Sequence, residues 1–285
     1  MKITNKYNLP ESLYKAITWN MKPRTGYSVT DLINSPRIVQ LTRRHWEEIE
    51  EDISERTWVL LGSATHYILK KGEASESLAE ERLEAMVGNT KISGIPDLWS
   101  NNTITDYKVT SVWNIIYAPK GREDWHSQLN LYRLLFKAHG FDTDKLSICA
   151  ILRDWQKRKA VESGYPPIPV VMLDIPIWPD SIAERYLLNR IAAHVEACDL
   201  VDDELPECTT EEMWAKATTY AVMKEGRKTA IRVFDEYKVA EKMMLEMDAK
   251  HYVLERPGKN VRCEDYCSVN KWCNQYQENC DTPND

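Results

Sequence analysis

Two short runs of alternating apolar and polar residues flank an Asn-Asn pair and predict a β-hairpin over residues 93–113. Successive side chains point to opposite faces of a strand, so Asp106 and Lys108 share one face of the second run. If the two strands pair, Asp97 on the first run converges with them. The pattern therefore places two acids and a lysine on the inner part of a small hairpin.

Helical periodicity and end signals predict most of the other elements. The capping-box spacing of Ser28 and Asp31 opens a helix that runs past Arg44, with a break at Pro36. Further helices are predicted over Trp58–Leu69, Ser75–Met86, Trp125–Ala138 and Pro179–Cys198, and further strands over Leu146–Leu152 and Pro169–Ile177. The segment Thr209–Glu255 is expected to be mostly helical. This order predicts an α/β fold, with a mixed core and helical additions at both ends.

Length and charge narrow the class of protein. The chain has 285 residues, enough for one large domain or two small ones, and a net charge of −7. That charge argues against binding a polyanion over the whole surface, so a nucleic-acid partner would need a local basic patch. The N-terminal stretch lacks the apolar core of a secretory signal, and no apolar run is long enough to span a membrane. We therefore expect a cytoplasmic protein with no membrane partner.

The hairpin carries the candidate chemistry. Two carboxylates held close together repel each other unless a cation lies between them, and Mg²⁺ with oxygen ligands meets that need. A neighbouring lysine can orient a water or neutralise charge on a phosphate, which fits metal-assisted phosphodiester hydrolysis. Taken alone, however, Asp106 and Lys108 are better explained as charges on an exposed hairpin.

Two helices supply further candidates, each with a plainer explanation. His66 lies on an apolar predicted helix, where a histidine is more often a packed core residue than a metal ligand, although imidazole binds Mn²⁺ well. Gln128 and Tyr132 are four residues apart and so share one helix face. They are either a surface amide and a packed tyrosine, or two polar side chains that bind a phosphate backbone.

Taken together, these residues resemble a known family. The matching segments, in order, are Gly62–His66 (G-x-x-x-H), Gly94–Asp97 (G-I-P-D), Asp106–Lys108 (D-Y-K) and Gln128–Tyr132 (Q-x-x-x-Y). Over about residues 28–180 the chain resembles the PD-(D/E)XK nuclease superfamily, in particular its RecB-like branch, which includes the nuclease Cas4 and phage-type exonucleases. The resemblance implies a restriction-endonuclease-like core, a mixed sheet flanked by helices. We expect a single nuclease domain over 1–285, with its core over about 28–180, a helical extension over 181–262 and a Cys-rich tail over 263–285.

The resemblance also implies the roles of individual residues. Mg²⁺ or Mn²⁺ would be bound by His66, Asp97, Asp106 and the main-chain carbonyl of Tyr107. The catalytic residues would be Asp97, Asp106 and Lys108, and DNA would be held by Gln128 and Tyr132. Three acids before the hairpin, Glu80, Glu81 and Glu84, are candidates for an additional acid outside the ligand set, but none is included in the predicted site.

Four cysteines crowd the end of the chain, at Cys263, Cys267, Cys273 and Cys280. In a reducing compartment such a cluster is typical of a metal site, either a [4Fe–4S] cluster or zinc, with buried free thiols as the alternative. Iron-sulfur relatives carry Cys-Pro where this chain has Ser35-Pro36. The expected ligands are therefore Cys208, Cys263, Cys267 and Cys273, with Cys280 as an alternative.

A basic loop is the expected DNA surface. Arg153, Lys157 and Arg158 follow the strand Leu146–Leu152, with Trp155 and Tyr165 interleaved. Basic side chains bind phosphates and an aromatic ring can stack on an unpaired base, whereas the plainer explanation is a solvated charged loop.

The sequence thus predicts a divalent-metal-dependent DNA nuclease. An exonuclease acting on DNA ends in recombination or repair, in a bacterial or phage-infected cell, is expected by analogy with the family. The alternatives are an endonuclease of the same fold, a non-catalytic DNA-binding or assembly subunit, and a protein-interaction module that a bound metal stabilises. A homo-oligomer and a recombination partner protein are left open.

Overall fold

The computed structural model describes residues 1–19, 21–22, 25–72 and 77–281, with side chains described as far as Glu278. The chain divides into two compact units, Met1–Val201 and Asp202–Asp285. Both units contain helices and sheets, so the predicted mixed α/β class is confirmed at that level. Among the described residues, none of the helices is both long and apolar enough to cross a membrane.

The first unit holds seven helices among its described residues: α1 Glu11–Thr18, α2 Val29–Leu32, α3 Pro36–Arg44, α4 Thr57–Lys70, α5 Val112–Tyr117, α6 Glu123–Ala138 and α7 Asp180–Asp199. The predicted capping box is present at the start of α2, where the Ser28 side chain accepts from the backbone N–H of Asp31. Pro36 is the first residue of α3, so the predicted break separates two helices. Helix α6 ends before Gly140, whose φ of 80° suits the glycine that follows a helix.

The strands of the first unit are β1 Lys2–Thr4, β2 Tyr27–Ser28, β3 Glu50–Asp52, β4 Leu83–Val87, β5 Thr90–Gly94, β6 Leu98–Ser100, β7 Thr103–Thr110, β8 Lys145–Leu152 and β9 Val170–Ile175. The central sheet has the order β6-β7-β8-β9, in which β7 and β8 are parallel and both outer pairs are antiparallel. A second sheet has the order β2-β5-β4, and β1 pairs with β3.

The hairpin follows the sequence closely. Asn101 and Asn102, with φ of 48° and 56°, form the tight turn between β6 and β7. After glycine, asparagine is the residue that most readily adopts the positive φ that such a turn requires. Strand β8 is buried along most of its length, and α6 packs its apolar side on the same core through Leu129, Leu135 and Phe136. Burial of this sheet fixes the register of β7 and hence the face on which its charged side chains lie.

One predicted helix and one predicted strand are corrected by the structure. Residues 83–87, the end of the predicted helix Ser75–Met86, form β4, since burial there alternates with a period of two and the strand pairs with β5. Residues 73–76 of that prediction lie outside the described part. The predicted strand through Asp97 is also interrupted, because β5 ends at Gly94 and β6 begins at Leu98.

In the second unit, the expected helical extension is largely a β structure. Its elements are β10 Ala215–Lys216, β11 Thr219–Lys224, β12 Arg232–Phe234, α8 Tyr237–Leu245, β13 His251–Arg256, β14 Lys259–Asn260, α9 Val261–Asp265 and α10 Asn274–Asp281. Strand β11 lies between β12 and β13 in an antiparallel sheet, with Ala221 and Val222 fully buried. Pairing on both edges decides the structure of β11, and the many charged side chains of the segment Thr209–Glu255 lie largely at exposed positions.

His194 gives the first unit a pH-dependent stability. This fully buried side chain of α7 has Nε2 at 3.2 Å from the Asn34 carbonyl oxygen, and its buried Nδ1 has no hydrogen-bond partner among the described residues. Burial, aided by the positive charge of Arg190, lowers the pKa of His194 to about 4. The neutral imidazole is therefore the form that the fold accepts.

We expect the folded protein to lose stability as the pH falls from about 6.5 toward 4, since protonation of His194 favours the unfolded chain there. The variant His194→Gln retains an amide donor for Asn34. Between pH 7 and pH 5, its free energy of unfolding should fall by about 1–2 kcal/mol less than that of the wild type. Urea denaturation of both proteins at the two pH values measures this difference. An equal fall in both proteins would contradict it.

Candidate active site

The centre of the site is a buried carboxylate on β7. Asp106 is 1% exposed, and Lys108 Nζ lies 2.7 Å from its Oδ2, so the carboxylate and the ammonium form a buried ion pair. Burial raises the pKa of the Asp106 carboxyl to about 6; the Lys108 ammonium opposes this rise and the charge of Asp97 adds to it. The predicted convergence of Asp106 and Lys108 on one face of β7 is thus present.

Asp97 is fixed in the loop between β5 and β6. Its Oδ2 accepts a hydrogen bond of 2.6 Å from the backbone N–H of Tyr107, which holds the loop against the middle of β7. Its Oδ1 lies 3.2 Å from Nδ1 of His66, on α4. One carboxylate therefore connects the helix, the loop and the strand that carries Asp106.

Glu80 completes this group, and sequence reasoning left it unassigned. Its Oε1 lies 3.1 Å from the same Nδ1 of His66, and the ligand atoms of His66, Glu80 and Asp97 lie within 4.8 Å of one another. Glu80 has a φ of 54°, in the left-handed region, and its backbone N–H donates to the carbonyls of Pro96 and Asp97 at 3.1 and 3.3 Å. The Ser75–Met86 helix prediction concealed it, because only the turn before β4 directs this acid toward His66.

His66 is held as a cation between two acids. Its hydrogen bond to Asp97, the charge of Asp97 and then Glu80 outweigh partial burial and raise the pKa of His66 to about 9. The ring also meets Tyr107 edge to face, with centroids 6.5 Å apart. In the absence of another cation, the imidazolium neutralises the acids around it.

A chain of polar contacts extends from Lys108 onto α6. Lys108 Nζ donates to Gln128 Oε1 at 2.9 Å, and Gln128 Nε2 donates to the Tyr132 hydroxyl at 3.1 Å. Burial raises the pKa of Tyr132 above its ordinary range, so the hydroxyl stays neutral. Gly94 packs on that ring, and a Cβ at this position would lie 2.8 Å from a ring carbon of Tyr132, which explains the glycine at the start of G-I-P-D.

The site opens to solvent along α4. A cleft of about 640 Å³ is lined by Gly62, Ser63, His66, Tyr67, Lys70, Glu80, Ile95 and Asp97. A Cβ on Gly62 would meet no atom within 4 Å, so this glycine is not required by packing and leaves the approach to His66 clear. A second cleft of about 750 Å³, beside Tyr132 and Ile95, contains the basic side chains Lys22, Arg82 and Lys91. Ile95, in the loop that carries Asp97, lines both clefts, so an extended ligand has access to that loop.

The donor set fits a hard divalent cation. Two carboxylates and an imidazole converge on the cleft, and the neighbouring Asp106 is a buried carboxylate whose Oδ2 is paired with Lys108. The structure therefore brings the predicted ligands His66 and Asp97 together with Glu80. Asp106 lies close enough to feel the charges of Asp97 and His66, but it is not one of the residues whose ligand atoms lie within 4.8 Å of one another. The structure gives no contact of the Tyr107 carbonyl that tests its predicted role as a ligand.

The side chains of the basic loop that were predicted to bind DNA lie at the end of β7 opposite the hairpin turn. Arg153, Lys157 and Arg158 are all exposed, and the Arg153 guanidinium lies 4.2 Å from the ring centroid of Trp58 on α4. The backbone N–H of Arg153 donates to Thr110, two residues beyond Lys108. This loop is thus tied to the strand that carries the candidate catalytic residues.

The cysteines of the second unit are neighbours. Burial first, and then the nearby Cys267 and Cys273, raise the pKa of the Cys263 thiol to about 11. Gln275 bridges the backbone of Cys208 through both its side-chain oxygen and nitrogen. Within the described side chains no three of these sulfurs lie within 4.8 Å of one another, and the side chain of Cys280 lies outside that part. The predicted iron-sulfur or zinc site stays a prediction.

The chain is similar to several solved structures, all at low sequence identity. No family model and no curated protein matches the chain. Similar solved structures include SSO0001, with 22% identity over 63% of this chain and 83% of that one and a TM-score of 0.42. They also include an alkaline exonuclease, LHK-Exo, from Laribacter hongkongensis, with 11% identity over 66% and 94% and a TM-score of 0.35. A phage-related exonuclease from Haemophilus somnus 129PT has 15% identity over 66% and 79% and a TM-score of 0.29.

The ring of His66 reports the electrostatics of the site directly. In EDTA, we expect an NMR titration of wild-type His66 to give a pKa near 9. Asp97→Asn should lower this pKa strongly, and Glu80→Gln should lower it less, because Asp97 makes the larger contribution. Glu84→Gln, which removes an acid paired with Lys91 instead, is the matched control. A wild-type pKa near 6.5 would show that the acids do not surround His66 in solution.

Proposed function

We propose that the protein is a divalent-metal-dependent nuclease that hydrolyses phosphodiester bonds. The observation that carries the proposal is the convergence of His66, Glu80 and Asp97 beside the buried pair of Asp106 and Lys108. Repelling carboxylates stay together only where cations offset them, and a lysine paired with a buried carboxylate beside them suits a reaction on an anionic substrate.

The proposed metal ligands are His66, Glu80, Asp97 and Asp106. Mg²⁺ or Mn²⁺ bound there would supply Lewis acidity toward the phosphodiester and toward the attacking water. His66 would give up its proton on binding the ion, since imidazole binds metal in its neutral form. Asp106 would then be held ionised, because a bound cation lowers the pKa of a neighbouring carboxyl.

Lys108 has a role that does not depend on metal binding. Gln128 and Asp106 hold its ammonium from two sides, so the charge is fixed before the substrate arrives. A preorganised cation at this position neutralises charge that develops on the phosphate, and it can orient a water by hydrogen bonding. Tyr132 supports Gln128 in turn and is therefore a positioning residue.

DNA is the proposed substrate, and an exonuclease acting on DNA ends is the finer proposal. The order and spacing of the four motif segments support the RecB-like resemblance, and the site geometry supports phosphodiester chemistry. The basic side chains of the two clefts and of the Arg153 loop offer phosphate contacts around the site. A role in recombination or repair, a homo-oligomer and a partner protein follow from the family analogy alone.

Cleavage of end-labelled linear DNA and of circular DNA, with Mg²⁺, Mn²⁺ or EDTA, tests the proposal. We expect metal-dependent digestion of linear DNA, with Lys108→Ala and Asp106→Asn reduced by about 100-fold or more, because each change removes a fixed charge at the reacting phosphate. Lys145→Ala is the matched control, since Lys145 is on the neighbouring strand β8 and pairs with the exposed Asp174.

The outcomes separate the alternatives. Digestion of circles would retain the site and change the reaction to an endonuclease. Equal activity of Lys108→Ala and wild type would remove the assigned role of the lysine. No digestion by the wild type with either metal would reject the nuclease.

A further inference from the structure

Exposed aromatic rings surround the end of β7 that leads away from the hairpin turn. Trp113 and Tyr117 lie on α5 and stack on each other, with centroids 5.8 Å apart and planes 22° from parallel. They are 46% and 80% exposed, and Trp58 on α4 is 58% exposed. Large aromatic surfaces left in water at one place indicate a binding surface more often than single exposed residues do.

A basic side chain lies at each end of this aromatic surface. The Arg153 guanidinium lies over the ring of Trp58, and the Lys159 ammonium lies 5.8 Å from the ring centroid of Trp113. The loop over residues 153–162 contains four cations against two acids, Asp154 and Glu162. The surface therefore combines ring faces with positive charge, a combination that complements bases and phosphates.

Asp154 holds the two parts of the surface together. Its Oδ2 accepts from the Ser111 hydroxyl and its Oδ1 accepts from the backbone N–H of Val112, each at 2.7 Å. This pair of bonds ties the Arg153 loop to the first turn of α5, next to Trp113. One of the two acids of the loop is thus engaged inside the protein, and the rings and cations are preorganised.

The surface is continuous with the candidate active site along two elements. On β7, Lys108 is two residues from Thr110, which accepts from the backbone N–H of Arg153. On α4, Trp58, Gly62 and His66 are spaced by four residues and share one face, and nothing fills the space beside Gly62. A strand with one phosphate beside Lys108 can therefore extend over the aromatic rings.

We infer that Trp58, Trp113 and Tyr117 form a stacking platform for unpaired bases of single-stranded DNA next to the active site. The platform selects single strands because a base within a duplex is already stacked and does not present its face. That the bound strand is also the substrate rests on the proposed nuclease function. Binding of the single strand to the platform does not depend on that function.

Fluorescence anisotropy of a labelled oligothymidylate and of a duplex of equal length, with the full chain in EDTA, tests the platform. Trp113→Ala and Tyr117→Ala should each weaken single-strand binding by about 5- to 100-fold, the range of stacking on one aromatic ring, and change duplex binding by less than about twofold. Trp113→Phe should restore most of the affinity, because it keeps a ring face. Tyr252→Ala, at a 43% exposed tyrosine of the second unit, is the control.

The outcomes distinguish the platform from the nuclease. Equal weakening of both DNAs, or no weakening by either alanine variant, would overturn the platform. Circular dichroism shows whether a variant is folded, and the phenylalanine variant tests the same ring if alanine is not tolerated. Selective single-strand binding by a wild type that cuts no DNA would reject the nuclease and leave the platform standing.

Discussion

The burial of Asp106 is the constraint around which the site is arranged. A carboxylate that is 1% exposed is costly to ionise, and its pKa rises to about 6 for that reason. Lys108 lies 2.7 Å away and offsets part of this cost, and Gln128 holds Lys108 in place. The surrounding acids then require further positive charge, which His66 supplies as an imidazolium. Each polar group of the site is thus explained by the charge of its neighbour.

The sequence predicted the hairpin and its charged face well because these features are local. Alternation sets the faces of β7, and the Asn-Asn pair sets the turn, so the meeting of Asp106 and Lys108 follows from neighbouring residues alone. The capping box before α2 and the glycine after α6 are local in the same sense. Such signals act over a few residues and need no knowledge of the tertiary fold.

The elements that sequence reasoning missed depend on distant partners. Strand β4 has a pattern that also suits a helix, and its pairing with β5 decides between them. Glu80 enters the site only because its backbone bonds to Pro96 and Asp97 and tolerates a positive φ. Strand β11 has a strand on both sides, one of them from residues 251–256, which no local window contains. The proposed aromatic platform was missed because its three rings come from α4 and α5, which are far apart in the sequence and are linked in the fold through the Arg153 loop.

Direct ion binding, without any substrate, tests whether the acids and the imidazole form the proposed divalent-metal site. Isothermal titration with Mn²⁺ should show saturable binding to the wild type, and Asp97→Asn and Asp106→Asn should abolish or strongly weaken it. Asp174→Asn, at an exposed acid of β9 paired with Lys145, should bind as the wild type does. Absence of binding to the wild type, or equal binding by all four proteins, would contradict the account.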